Sequence, residues 1–306
     1  MTFRTLIAMF VLVPGLAAAQ TTTESRERCA TRLSSALLGR TPTAALLTSA
    51  DPQTQVDAMV GSADFQEKFA RYVNSRFNPD PGATPQEDAS YYLAKYVLVN
   101  NLPWRSLFNG QFRVDPPPAD GSSPDAQVVA DPAGLGYFRS RAWMIRYAGN
   151  ELNGVRLVTA YRMLNNVLGI KLQAAVNTDG IDAAGRMSAA CSGCHYNPIN
   201  GLDLIASILS KRVGTGNNMT FTTTVGPPVS LLGGTTVAND AQLINAMVNS
   251  ADFRYRACRL AVEFAYSRPE YKCEGTTFDS CMSAFNATGT IQSAVAAIAK
   301  APTFCQ

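Results

Sequence analysis

The chain has 306 residues, 46% hydrophobic and 16% charged, with a formal net charge of +3. That length can bury one large core or two smaller ones. So few charges, so nearly balanced, exclude a strongly basic nucleic-acid binder and a polybasic membrane-surface protein. Seven cysteines and a single histidine are the unusual counts.

The first segment reads as an address. Arg4 supplies a charged start, Leu6–Val13 a short apolar run, and Pro14-Gly15 a break before Ala17-Ala18-Ala19. This is the pattern of a Sec-type signal peptide over 1–19, with cleavage after Ala19. The run is too short to span a bilayer, and no later run approaches the length a transmembrane helix needs. The expected mature chain is exported, has no transmembrane segment, and resides in an oxidising periplasmic or extracellular compartment.

The mature chain reads as mainly α. Phe65, Phe69, Tyr72, Val73 and Phe77 fall on one face of a helix, with Asp64 as its expected N-cap and Glu67 three residues on. A second helix is expected over Tyr91–Val99, ending near Asn100-Asn101 before Pro103. Tyr137–Ala148 and Val155–Leu168 are two more, the latter closed by Gly169. Strand signals are confined to Met219–Val225, which predicts at most a short hairpin. The Pro- and Gly-rich stretch 115–136 reads as a linker between an N-terminal helical domain, 20–114, and a second helical domain, 137–306. Gly214–Thr236 is a second irregular stretch, suited to a lid or ligand loop.

There is an internal echo. Met59–Phe65 (MVGSADF) and Met247–Phe253 (MVNSADF) agree at six of seven positions, each before an amphipathic helix. It can be read as a duplicated docking element. The reading favoured is a shared helix–turn–helix solution, with Ser or Asp capping and Phe filling the core.

The chemistry gathers at Cys191-Ser192-Gly193-Cys194-His195, which is C-x-x-C-H. Two thiols at this spacing can add to the two vinyl groups of one haem, and the next residue can then ligate its iron, so the motif predicts one covalent haem c. Zinc needs further ligands, for which Cys258, Cys273 or Cys281 would serve, and a thioredoxin-like pair expects a βαβ context that the pattern lacks. His195 is the only histidine, so bis-histidine ligation within the chain is excluded. Met219, in a Gly- and Asn-rich segment ahead of Pro227-Pro228, is the candidate second iron ligand, beside an open or water-bound position. Met187 falls on the wrong side, and the other methionines read as core fillers. Arg186 and Arg162 are candidate partners for the haem propionates, and Tyr196 for the pocket edge. Asn197-Pro198 reads equally as a plain turn. Of the remaining cysteines, four lie near the C-terminus; Cys258–Cys273 and Cys281–Cys305 are the expected bridges, with Cys29 free or linking two chains. A Ser–His–Asp site would have to take the haem ligand, and no P-loop or Rossmann fingerprint is present.

The run "LLGRTPTAALLTSADPQTQVDAMVGSADFQEKFARYVNSRF" within Arg32–Phe77, continued by "NNLPWRSLFNGQFRV" (Asn100–Val114), resembles a helical domain found beside planctomycete-type cytochromes. The second half, with "GYFRSRAWMIRYA", "CSGCHYNPINGLDL" and "LINAMVNSADFRYRACRLAVEFAYSR", is similar to the haem-bearing companion domains of planctomycetes and myxobacteria. Those carry an I-D-P-x-G turn after the haem motif, where this chain has Asn197-Pro198-Ile199-Asn200-Gly201. The resemblance implies an exported bacterial cytochrome-like protein, implies no particular substrate, and supports the Cys258–Cys273 pairing.

The function expected is single-electron transfer by an exported monohaem c-type cytochrome, with redox proteins as partners and no nucleic acid. Electron transfer is favoured over catalysis. The alternatives are a haem enzyme with an open distal site acting on peroxide or oxygen, and a haem-bearing binding or sensor module.

Overall fold

A computed structural model describes residues 15–85, 87–140, 143, 147, 156–173, 181–214, 220–221, 226–270 and 275–306, with side chains from Thr22 onward and none for 221. Helices dominate, as the apolar spacing predicts, and the described strands form three short antiparallel pairs. In chain order the first half holds α1 (Gly15–Leu33), α2 (Ala44–Leu47), α3 (Val56–Val60), α4 (Ala63–Phe77), α5 (Ala89–Val99) and α6 (Ser106–Asn109). A hairpin follows, β1 (Phe112–Asp115) against β2 (Gln127–Ala130), in register Phe112 to Ala130. Next come α7 (Leu157–Met163), α8 (Ala183–Arg186), α9 (Ala189–His195) and α10 (Leu202–Ile208). Two small pairs come after these: β3 (Arg212–Val213) with β4 (Thr220–Phe221), and β5 (Val229–Leu231) with β6 (Thr235–Val237). The chain ends in α11 (Asp240–Val248), α12 (Ala251–Tyr266), α13 (Gly275–Thr288), α14 (Ile291–Ala299) and a 3-10 turn, Pro302–Cys305.

The sequence echo is a structural repeat. In α4 the N-cap is Ser62, not Asp64: its Oγ accepts from Phe65 N at 3.3 Å and donates to Met59 O at 2.7 Å. In α12, Ser250 Oγ accepts from Phe253 N at 3.2 Å and donates to Met247 O at 2.7 Å. Serine wins because an N-cap needs extended backbone, which Ser62 (ψ 156°) and Ser250 (ψ 164°) have, whereas Asp64 already lies in the first turn. Phe65 and Phe253 are both buried, so the shared segment caps a helix and plugs the core, as favoured above.

The repeat extends beyond the seven residues. α1 and α7 each run on into a π-helical turn, Ser34–Leu38 and Leu164–Leu168, closed by left-handed Gly39 and Gly169. A cation three residues after the repeat's phenylalanine meets each glycine: Lys68 in the first copy and Arg256 in the second. Lys68 Nζ donates to Ser35 O at 2.6 Å, neutralising a helix end that carries partial negative charge.

One hydrophobic core runs from Cys29 to Phe304. Phe65, Phe69 and Trp104 meet Phe264 or one another edge-on, and Phe108 joins Trp104 to Phe253, so aromatics from both copies interlock. The stretch 115–136 is exposed or half-buried along most of its length and contributes Ala126 and Leu135 to this core. Its hairpin packs on α5, and Tyr137 Oη donates to Phe77 O at 2.9 Å just beyond it. Half of the helix expected over Tyr137–Ala148 lies outside the described residues; its start is a run of turns closed by Phe138 N and Ser140 N.

The disulfides correct the expected pairing. Cys29 bonds Cys305 and Cys258 bonds Cys281, while Cys273 lies outside the described residues. Cys29 is not free because the two ends of the chain pack together. Arg32 lies over the rings of Tyr266 and Phe304 and donates to Gln306 O at 2.8 Å. Gln53 Nε2 donates to Ala299 O at 2.8 Å. From Thr22 to Arg28 α1 is largely exposed, and it begins to pack at Cys29. Among the described residues no helix is long and apolar enough to cross a membrane. Two disulfides fit an oxidising compartment.

Candidate functional site

The C-x-x-C-H motif forms α9, a short helix set on the surface. Neither α8 nor α9 buries a single residue, in contrast to α10, which sinks Leu202, Ile205, Ala206 and Ile208 into the core. Such a helix is held by its ends rather than by an apolar face. Asp182 caps α8, accepting from Gly185 N at 2.8 Å. After α9 the chain turns back through Asn197, whose Oδ1 accepts from Ile199 N at 2.7 Å and whose carbonyl accepts from Gly201 N at 2.7 Å. A Cβ at Gly201 would stand 2.7 Å from Asn197 O and 2.9 Å from His195 O, so only glycine permits this tight return into α10. The hairpin β5–β6 braces the turn, Leu232 N donating to Ile199 O at 3.0 Å. Asn197-Pro198 is thus the turn that follows the motif helix.

This fold-back brings Asp203 beneath His195. His195 Nδ1 is 2.6 Å from Asp203 Oδ2. An ionised carboxylate can only accept, so Nδ1 carries the proton and the lone pair sits on Nε2. Arg186 grips the same carboxylate, with Nε 3.1 Å from both oxygens and Nη2 2.8 Å from Oδ1, while Nη1 donates to Ile181 O at 2.6 Å. The Arg186 and Asp203 side chains are each 11% exposed and the imidazole 21%, so the chain of charges is well shielded from water. The hydrogen bond to Asp203 holds Arg186 above the ordinary arginine value. Tyr196 is also pushed up, first by desolvation and then by the Asp203 charge, and its hydroxyl lies 3.4 Å from Ala183 O.

The residues singled out in the sequence separate into three groups. Cys191, Cys194, His195, Tyr196 and Arg186 come together on α8, α9 and the following turn. Arg186 is there, its guanidinium bonded to Asp203 and to the Ile181 carbonyl. Arg162, on α7, lies over the ring of Tyr147, 5.2 Å from its centroid. Met219 lies outside the described residues, as do parts of the 214–236 stretch; the described parts of that stretch hold the pairing strands β4, β5 and β6. Met59, Met163 and Met247 are buried core fillers, and Met187 is 62% exposed at the end of α8. Asp203 is the residue the sequence reading missed. Its signal was available: one acid in the first turn of an otherwise apolar helix, eight positions after the histidine.

The site fits a covalent haem on the chemistry of its donors. Cys191 and Cys194 are unpaired thiols, half-exposed on one helical turn. The open space beside Gly193 leaves the helix face unobstructed. His195 offers Nε2 with its other nitrogen satisfied, the arrangement that fixes ring orientation in metal-ligating histidines. Among the described residues no three His, Cys, Asp or Glu side chains converge as a ligand set for a bare metal ion. Compared with known proteins, the chain matches no family model, no curated protein and no solved structure.

Proposed function

We propose that the protein is an exported, periplasmic or secreted monohaem c-type cytochrome that transfers single electrons to and from redox partner proteins. The observation that carries this reading is the juxtaposition on α9: two free thiols one turn apart, followed by an imidazole whose Nδ1 is already bound to Asp203. Cys191 and Cys194 would hold the haem through thioethers, and His195 would ligate the iron through Nε2. When bound, the haem supplies the Fe(III)/Fe(II) couple. The chain's own part is to fix the imidazole and shield one side of it with the Arg186–Asp203 pair, leaving α9 at the surface. A surface helix suits exchange with a partner, because electron transfer requires close approach rather than enclosure. The resemblance to the haem-bearing domains of planctomycetes and myxobacteria, and the signal-like segment 1–19, point the same way.

The test is the colour of the exported protein. Expressed with haem-attachment machinery, the wild type should keep an absorbing haem through denaturation, at one per chain in an alkaline pyridine assay. A colourless chain refutes the reading. A haem enzyme acting on peroxide or oxygen is the second reading, and one observation favours it: a carboxylate on His195 Nδ1 makes the imidazole a stronger donor to iron. Against it, no second histidine exists to serve as a distal acid–base group. Carbon monoxide separates the two. An iron with Met219 as its sixth ligand resists the gas, whereas an open iron binds it at once.

A further inference from the structure

We propose that Asp203, clamped by Arg186, is a positioning residue that sets the reduction potential of the site by hardening the donation from His195. This rests on the haem reading above, and adds control of the potential to the pair's part in fixing the imidazole.

Asp203 stands in an unusual place for a carboxylate. It is an acid in the first turn of a helix whose neighbouring residues Leu202, Ile205 and Ile208 are buried, and its carboxylate is 11% exposed. A shielded carboxylate is costly unless paired and hydrogen-bonded, and Asp203 is both. Arg186 occupies its two oxygens in a fork, and the remaining acceptor capacity on Oδ2 meets His195 Nδ1 at 2.6 Å. The guanidinium fixes the plane of the carboxylate, so the oxygen facing the imidazole cannot turn away.

The direction of the effect follows. A carboxylate accepting from Nδ1–H draws that proton toward itself and leaves the ring more electron-rich than a neutral acceptor would. A more basic axial ligand stabilises Fe(III) relative to Fe(II) and lowers the potential. The bond also fixes the ring's rotation, which a surface helix without a buried face could not do alone.

The experiment uses the haem-loaded full chain and three variants: Asp203→Asn, Asp203→Glu and, as a charge control, Asp182→Asn, which caps α8 without touching His195. Midpoint potentials are measured by redox titration, and the iron–histidine stretch by resonance Raman on the ferrous protein. Asp203→Asn is expected to favour Fe(II) by tenfold or more, an upward shift of about 59 mV for one electron, and to lower the stretching frequency. Asp203→Glu should recover most of both, and Asp182→Asn should move neither. Equal potentials for wild type and Asp203→Asn would overturn the proposal. So would an equal shift in Asp182→Asn, which would reduce the effect to net charge, or loss of haem from both Asp203 variants, which would make the role structural. A wild type without covalent haem would defeat the cytochrome reading itself, and would show before any variant is made.

Discussion

Replacing the terminal bridge, Cys29→Ala with Cys305→Ala, should cost far more than replacing the internal one, Cys258→Ala with Cys281→Ala. The two close loops of very different size, separations of 276 and 23 residues. Treating each bridge as a restriction on the unfolded chain gives about 5–6 kcal/mol for the first and about 3–4 kcal/mol for the second. Alanine is the right replacement because Cys258 and Cys281 are fully buried, and a serine hydroxyl there would add an unpaired polar group. The remaining contacts between the chain ends, Arg32 to Gln306 O, Gln53 to Ala299 O and Lys300 to Asp57, persist in the mutant and hold its native state in place. The loss is therefore expected in the free energy of unfolding, not in the helix content of the folded protein. Urea titration with linear extrapolation measures it, helicity by circular dichroism being followed in both doubles and in the wild type. If the terminal double loses no more than the internal one, chain closure is not what Cys29–Cys305 contributes, and the reasoning fails.

The remaining predictions concern the site and the half-buried Tyr72 between α4 and α12. Cys191→Ala with Cys194→Ala should abolish covalent haem, seen on a denaturing gel, while leaving the unfolding midpoint of the haem-free chain unchanged, because α9 buries nothing. Gly201→Ala should cost about 1–3 kcal/mol through the clash with Asn197 O and His195 O, measured in urea, and should lower haem yield by displacing Asp203 from His195. Burial raises the Tyr72 hydroxyl to about 12, with Glu263 and Arg76 beside it. A tyrosine raised above its unfolded value of about 10 contributes stability that is complete below that pH and lost as pH climbs to about 12. Tyr72→Phe should flatten that part of the pH–stability curve, and tyrosinate absorbance should show one late-titrating hydroxyl disappear.

What the sequence could reveal was set by how local each cause is. The helix over 63–77 was legible because five apolar residues repeat on one face, and the end of α7 at Gly169 because a left-handed cap demands glycine. The cap on α4 was misplaced by two residues because Asp64 and Ser62 are both good capping types, and only the backbone dihedral decides between them. The π turns at Ser34–Leu38 and Leu164–Leu168 were invisible, since one extra residue per turn leaves an apolar run looking helical. The disulfides failed for a different reason. Pairing neighbours in sequence is a sound guess only if the chain ends stay apart, and here Arg32, Tyr266 and Phe304 bring them together. Of the site, the placing of Cys191, Cys194 and His195 on one short helix was legible, because five adjacent residues carry it. Its support was not, because the Asp203–His195 contact exists only after Gly201 turns the chain back.

The repeat explains where such a site could be placed. In the first copy the path from Gly39 to α3 is short, holding only α2 and a 3-10 turn. In the second, the path from Gly169 to α11 holds α8, α9, α10 and two strand pairs. The elements shared by both copies, the π turn, the Ser-capped helix and the cation against the glycine, supply the interlocked aromatic core. The added segment contributes to that core chiefly through α10 and the ends of β5 and β6, where Leu231 and Val237 are buried. A scaffold whose core takes no residue from α8 and α9 can carry on its surface a helix without a buried face. Under the proposed function that freedom has a use, since the thiols would have to be reached from solvent before any haem is in place. The Arg186–Asp203–His195 chain then restores, by hydrogen bonds alone, the precision that burial gives elsewhere in the molecule.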